Sequence, residues 1–129
     1  MPVRSLSSHV LRWPDAHEVD QALRLWVTRA VESGRGMLRV GYFGSYARGD
    51  WGPGSDLDII IVVEGSDQLF ESRTARWDTT GLPVPADVLV YTKDEWDRLG
   101  RTSAFHEMVM REAVWVYGRG ADAGSVANP

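Results

Sequence analysis

The chain contains no cysteine. That excludes disulfides, a thiol nucleophile and Cys-ligated zinc. Histidine is scarce: His9, His17 and His106 are all there are, and no two stand at metal-ligand spacing, so no histidine-based metal site is expected. Lysine is nearly missing, because Lys93 is the one lysine among 14 basic residues. Without more amines, a P-loop lysine and most Schiff-base schemes have nothing to work with. Long apolar runs are lacking too, and the opening MPVRSLSSHVLRWPD has no signal-peptide core, so a cytoplasmic protein with no membrane partner is expected. Basic charge is in deficit, 14 residues against 18 acidic ones, for a net charge of −4. This speaks against a large nucleic-acid footprint, which needs clustered Lys and Arg, while leaving room for a single nucleotide.

What is present fits one soluble domain: 129 residues, 43% hydrophobic and 25% charged. A single domain is expected over 1–117. The small, glycine-rich stretch 118–129 reads as a disordered tail. Asp15 with Glu18 forms a capping-box pattern, and Val19, Ala22, Leu23, Trp26 and Ala30 follow at helical spacing until Gly34 and Gly36 end the helix. Four β-like runs follow, at Met37–Phe43, Leu57–Val63, Ala86–Tyr91 and Ala113–Tyr117. Between them a helix is predicted over Asp67–Trp77, with Phe70 and Trp77 on one side. A second is predicted from the Thr92/Glu95 capping box through Leu99, and a third opens at Ser103 with Phe105, Met108 and Val109 inward. The expected fold is α/β or α+β, a small mixed β-sheet flanked by helices, with strand directions unsettled by pattern alone.

The chemistry concentrates in GYFGSYARGDWGPGSDLDIII, Gly41 to Ile61. Gly44 and Ser45 come straight after a strand, and Ser45–Arg48 can form one helical turn whose unpaired amides suit phosphate oxygens. Alone, this is an ordinary strand-to-helix connection. Asp56 and Asp58 add weight: two apart at a strand start, both carboxylates face the same way and repel. Either aspartate alone is a common strand-start residue, but together they suit a divalent cation such as Mg2+. Asp87 opens the third run and joins the pair if strands two and three are neighbours. Three carboxylates beside a phosphate cradle suit two-metal phosphoryl transfer. Arg48 has two readings, a contact to phosphate or to the acidic residues, or a structural salt bridge. Tyr46 and Trp51 flank the loop, and local packing is favoured over stacking on a base. The other tryptophans, Trp13, Trp26, Trp77, Trp96 and Trp115, are read as core.

The segment Phe43-Gly44-Ser45, spacer Tyr46 to Ser55, then Asp56-Leu57-Asp58-Ile59 resembles the signature of the DNA polymerase β-like nucleotidyltransferase superfamily. The extended form GSYARGD…GSDLD resembles its minimal nucleotidyltransferases. The resemblance runs from about Met37 to Tyr117. It implies that Gly44 and Ser45 bind the triphosphate of ATP or another NTP, and Arg48 is a candidate nucleotide contact beside them with both of its readings open. It further implies that Asp56 and Asp58 bind magnesium, two ions with Asp87 as the third carboxylate, and that an NMP passes to an acceptor hydroxyl. Such domains are often antitoxins paired with a HEPN-domain toxin, so a HEPN-type partner is implied, either as acceptor or as the target of simple occlusion by a non-catalytic binding module. Self-association into a homo-oligomer is open on the sequence.

Overall fold

A computed structural model describes residues 13–34 and 36–118. The expected tail lies outside the described residues except for Gly118, which instead closes the last strand. The elements are α1 (Ala16–Glu32), β1 (Met37–Phe43), α2 (Ser45–Arg48), β2 (Leu57–Val63), α3 (Phe70–Arg73), a 3-10 turn (Thr74–Arg76), β3 (Ala86–Thr92), α4 (Lys93–Leu99), α5 (Ala104–Glu112) and β4 (Val114–Gly118).

Local signals start the helices where expected. The Asp15 side chain accepts from the Glu18 amide at 2.9 Å while Glu18 Oε1 accepts from the Asp15 amide at 3.0 Å. Thr92 and Glu95 make the same reciprocal pair before α4, and the Ser103 hydroxyl accepts from the His106 amide before α5. Each such cap is worth about 1 kcal/mol.

The sheet order is β3-β2-β1-β4, with β2 and β3 parallel and the other pairs antiparallel. β2 is therefore an inner strand, which explains an apolar run interrupted by Asp58 alone: Leu57 and Ile59 through Val63 are all buried. Its side chains alternate between two cores. Ile59, Ile61 and Val63 pack with Val19, Leu23 and Val27 of α1, and Ile60 and Val62 pack with Trp96 of α4 and Val109 of α5. The core reading of the tryptophans holds, with Trp96 buried and Trp13, Trp26, Trp77 and Trp115 partly buried against one cluster or the other.

The predicted helix over Asp67–Trp77 is corrected. It is one turn, Phe70–Arg73, continued by the 3-10 turn, and Phe70 and Trp77 lie on opposite faces of the sheet. Phe70 meets Tyr91 (ring centroids 5.0 Å apart), whereas Trp77 meets Trp26 of α1 at 5.9 Å. The segment wraps the open edge of β3, and a chain that rounds an edge must feed one aromatic to each side.

Strand directions put the functional segments together. β1 ends where antiparallel β2 begins, with Phe43 opposite Asp58. Parallel β3 begins there as well, and so does β4, whose Val114 pairs with Tyr42. Gly44, Asp58, Asp87 and the end of α5 thus gather at one end of the sheet.

Candidate active site

Asp58 and Asp87 are direct register partners across β2 and β3. Residues at the same register in neighbouring strands share a face, so both carboxylates project on the side covered by α4 and α5. Asp56 lies two residues before Asp58, exposed at the mouth of the strand, and Asp87 is exposed while Asp58 is half-buried. Burial pushes the Asp58 carboxyl up, the Asp87 and Asp56 charges push it further, and Arg48 opposes them. Charges that perturb one another this way stand close enough to share a field. The register brings Asp58 and Asp87 together, and Asp56, two residues before Asp58, lies near enough for its charge to act on Asp58.

The elbow between β1 and α2 packs against this group. Gly44 has φ +81°, the left-handed region that favours glycine, and a Cβ built there would collide with Asp58 Oδ2. Gly44→Ala is expected to destabilise the fold by about 2–4 kcal/mol, from backbone strain plus overpacking, readable as a lower urea midpoint at unchanged slope. A loss below about 0.5 kcal/mol would mean that the elbow is loose.

Helix α2 has Gly44 at its N-cap position and no side-chain cap. The amides of Ala47 and Arg48 return to the Gly44 carbonyl, at 3.0 and 2.9 Å. By helix geometry the amides of Ser45 and Tyr46 have no acceptor within the helix, and the half-buried Ser45 side chain stands beside them. Tyr46 is not available to a ligand: it is buried, accepts from Trp13 Nε1 at 2.7 Å and stacks on Trp51 at 5.6 Å with 9° between planes. Local packing, the favoured reading of both loop aromatics, describes them.

Arg48 spans its two readings. Its guanidinium donates to Asp50 (Nε, 3.1 Å) and to Glu112 (Nη1, 3.4 Å), and its charge reaches Asp58. It is a salt-bridge partner located at the acidic cluster. Glu112 itself is absent from the sequence reading. Its Oε2 accepts from the Gly44 amide at 2.7 Å. A glutamate 68 positions away carries no spacing signal, and only the β4–β1 pairing delivers it.

A cavity of about 440 Å3 opens beside the carboxylates. Asp58 and Asp87 line one part, and Phe43, Leu89 and Phe105 make an apolar wall. Phe105 meets Phe43 edge to face at 5.6 Å, which fixes that wall. Among the described residues, no three His, Asp or Glu side chains are already closed around a common point that could hold a metal ion. The donor chemistry still fits one: hard carboxylate oxygens, mutually repelling, with Asp58 burdened by its neighbours. No helix among the described residues is long and apolar enough to cross a membrane.

The family model described as a nucleotidyltransferase domain matches residues 27–115. Comparison with curated proteins returns no match. Among solved structures, a protein from Sulfolobus solfataricus assigned to the nucleotidyltransferases superposes with a TM-score of 0.60 at 22% identity, covering 84% of this chain and 87% of its own. A toxin–antitoxin structure with AMP-PNP gives 0.54 at 16% identity, covering 81% and 80%. A mutant of the toxin–antitoxin MntA–HpeT gives 0.52 at 12%, with the same coverage. At these identities the likeness is one of fold: a mixed four-stranded sheet with helices.

Proposed function

The chain belongs to the nucleotidyltransferase domain family, and from that premise we propose that it moves a nucleoside monophosphate from an NTP, ATP first among them, to an acceptor hydroxyl. The observation that carries this reading is the pairing of Asp58 with Asp87 directly beside the Gly44–Ser45 elbow. An acidic cluster alone would repel a triphosphate, and an elbow alone would be a turn. Together they bind the two halves of a metal–nucleotide complex.

Asp56, Asp58 and Asp87 would hold Mg2+. When bound, Mg2+ supplies neutralisation of triphosphate charge and acidifies a nearby hydroxyl. The remaining work falls to the chain. Ser45 and its amide hold phosphate oxygens, and Arg48 adds positive charge at the rim. Asp87 accepts the acceptor's proton, directly or through water. A bond forms between the acceptor oxygen and the α-phosphorus, the bond from that phosphorus to the β-bridging oxygen breaks, and pyrophosphate leaves with the electron pair. The gain comes from positioning and charge complementarity, without a covalent enzyme intermediate. The cavity walled by Phe43, Leu89 and Phe105 gives an apolar part of the nucleotide or acceptor a place beside the carboxylates.

The acceptor we favour is a hydroxyl on a HEPN-type partner protein, since the fold is shared with chains of toxin–antitoxin structures. Incubation with the partner, Mg2+ and α-labelled NTPs tests this: label on the partner and release of pyrophosphate are expected. A stable complex with no label from any NTP would replace the reading by occlusion without chemistry.

Divalent cation gives an independent check. Because the site places like charges together, millimolar Mg2+ is expected to raise the melting temperature of the parent chain. Saturation at ~100 times Kd corresponds to about 2.7 kcal/mol. Asp58→Asn should remove most of that shift in differential scanning calorimetry. An equal shift in parent and variant would put the ion elsewhere.

A further inference from the structure

Glu112 has no role in the reaction as laid out above, yet its side chain is largely covered and one of its two carboxylate oxygens, Oε2, does two things. It accepts from the Gly44 amide at 2.7 Å and meets Arg48 Nη1 at 3.4 Å. Gly44 is the N-cap of α2 and Arg48 its last residue. One carboxylate oxygen therefore holds both ends of the elbow helix and ties them to the end of α5.

The placement is electrostatically awkward. A carboxylate in the last turn of a helix opposes the helix dipole, and the charge of Glu112 adds to those that burden Asp58. The compensation visible in the structure is the Gly44 N–H and Arg48. Gly44 in turn sits against Asp58 Oδ2, at a backbone angle other residues avoid. The hydrogen bond fixes the plane of the 43–44 peptide, the Arg48 contact holds the other end of α2, and the approach of Asp58 limits the dihedrals of Gly44, so Ser45 and its amide are restrained from both sides. We propose that Glu112 is a positioning residue: by taking the Gly44 amide it locks the elbow in the orientation that presents Ser45 to the triphosphate. This rests on the nucleotidyltransferase reading of the elbow.

The rival idea is that Glu112 plugs the cradle and competes with phosphate. The two differ in sign. If Glu112 positions the elbow, E112A weakens binding of Mg2+ with a non-hydrolysable ATP analogue, measured by calorimetry, by at least about tenfold, the scale at which groups that orient a ligand act. KM for the NTP rises by a similar factor and kcat changes less. E112Q keeps an oxygen for the Gly44 amide without the charge, and recovers most of the loss. Tighter binding by E112A, unchanged binding, or E112Q as weak as E112A would each overturn the proposal. Should E112A fail to fold, hydrogen exchange at the Gly44 amide of the parent chain decides: a protected amide is expected, and exchange at the rate of an open loop overturns it. A parent chain that neither binds nor turns over any NTP overturns the nucleotidyltransferase reading and this inference with it. A fully active parent with an equally active E112A overturns this inference alone.

Discussion

Asp58→Asn is expected to lower nucleotidyl transfer by at least about 100-fold while leaving the metal-free chain as stable as its parent at neutral pH, or more stable. The first part follows from position. Asp58 is the carboxylate in contact range of the elbow and in register with Asp87, and even groups that only orient such ligands are worth 10–100-fold. The second part follows from sign. The folded state raises the Asp58 carboxyl, so the folded chain prefers it protonated. Its contribution is fully present below the ordinary aspartate value of 3.8 and is lost as pH rises through the raised folded value. At neutral pH without metal the ionised group is a cost, which Asn removes at nearly constant shape. Calorimetry in chelator at pH 7 and a label-transfer assay with Mg2+ read the two halves. A variant that keeps its activity would remove Asp58 from the reaction. One that melts well below the parent would make Asp58 a structural residue.

The second large effect is acid lability at Arg73 and Glu95. Arg73 is only 6% exposed, on the edge where α3 rounds β3. Its guanidinium donates to the Gln68 carbonyl (3.1 Å), the Val90 carbonyl (3.2 Å) and both Glu95 oxygens (2.5 and 3.0 Å). Glu95 also accepts from the Thr92 amide at 2.9 Å. The Arg73 hydrogen bond, helped by that amide, holds the Glu95 carboxyl down at about 2 against an ordinary 4.5. A lowered folded value contributes stability that is complete above about 4.5 and lost as pH falls toward about 2. That difference is on the order of 3 kcal/mol for this largely covered pair. Urea titrations at pH 6, 4, 3 and 2 are expected to show the decline, and Glu95→Gln should flatten it. At pH 7, Glu95→Ala is expected to cost about 3–5 kcal/mol, because Arg73 is left buried without its counter-charge. A flat profile in the parent chain would mean that the pair opens to water.

Local chemistry made much of this protein legible in its residues. Each helix start that a capping pattern predicts, Asp15, Thr92 and Ser103, is where a helix begins, because a cap is a bond between neighbours in sequence. The apolar run of β2 announced an inner strand, since only burial on both faces tolerates it. The spacing of Asp56 and Asp58 put both on one face, because strand geometry repeats every second residue. Nothing local could say that β1 runs against β2, that β3 runs with it, or that Asp87 falls opposite Asp58, for those choices depend on which hydrogen-bonded edges meet after collapse. The split of Phe70 and Trp77 across two cores, and the arrival of Glu112 at the Gly44 amide, belong to the same class. Residue types and short spacings supplied the reactive groups. The packing of strands laid down far apart in the chain chose their neighbours, because long-range pairing is governed by the total surface buried and leaves no periodic trace in the residues it joins.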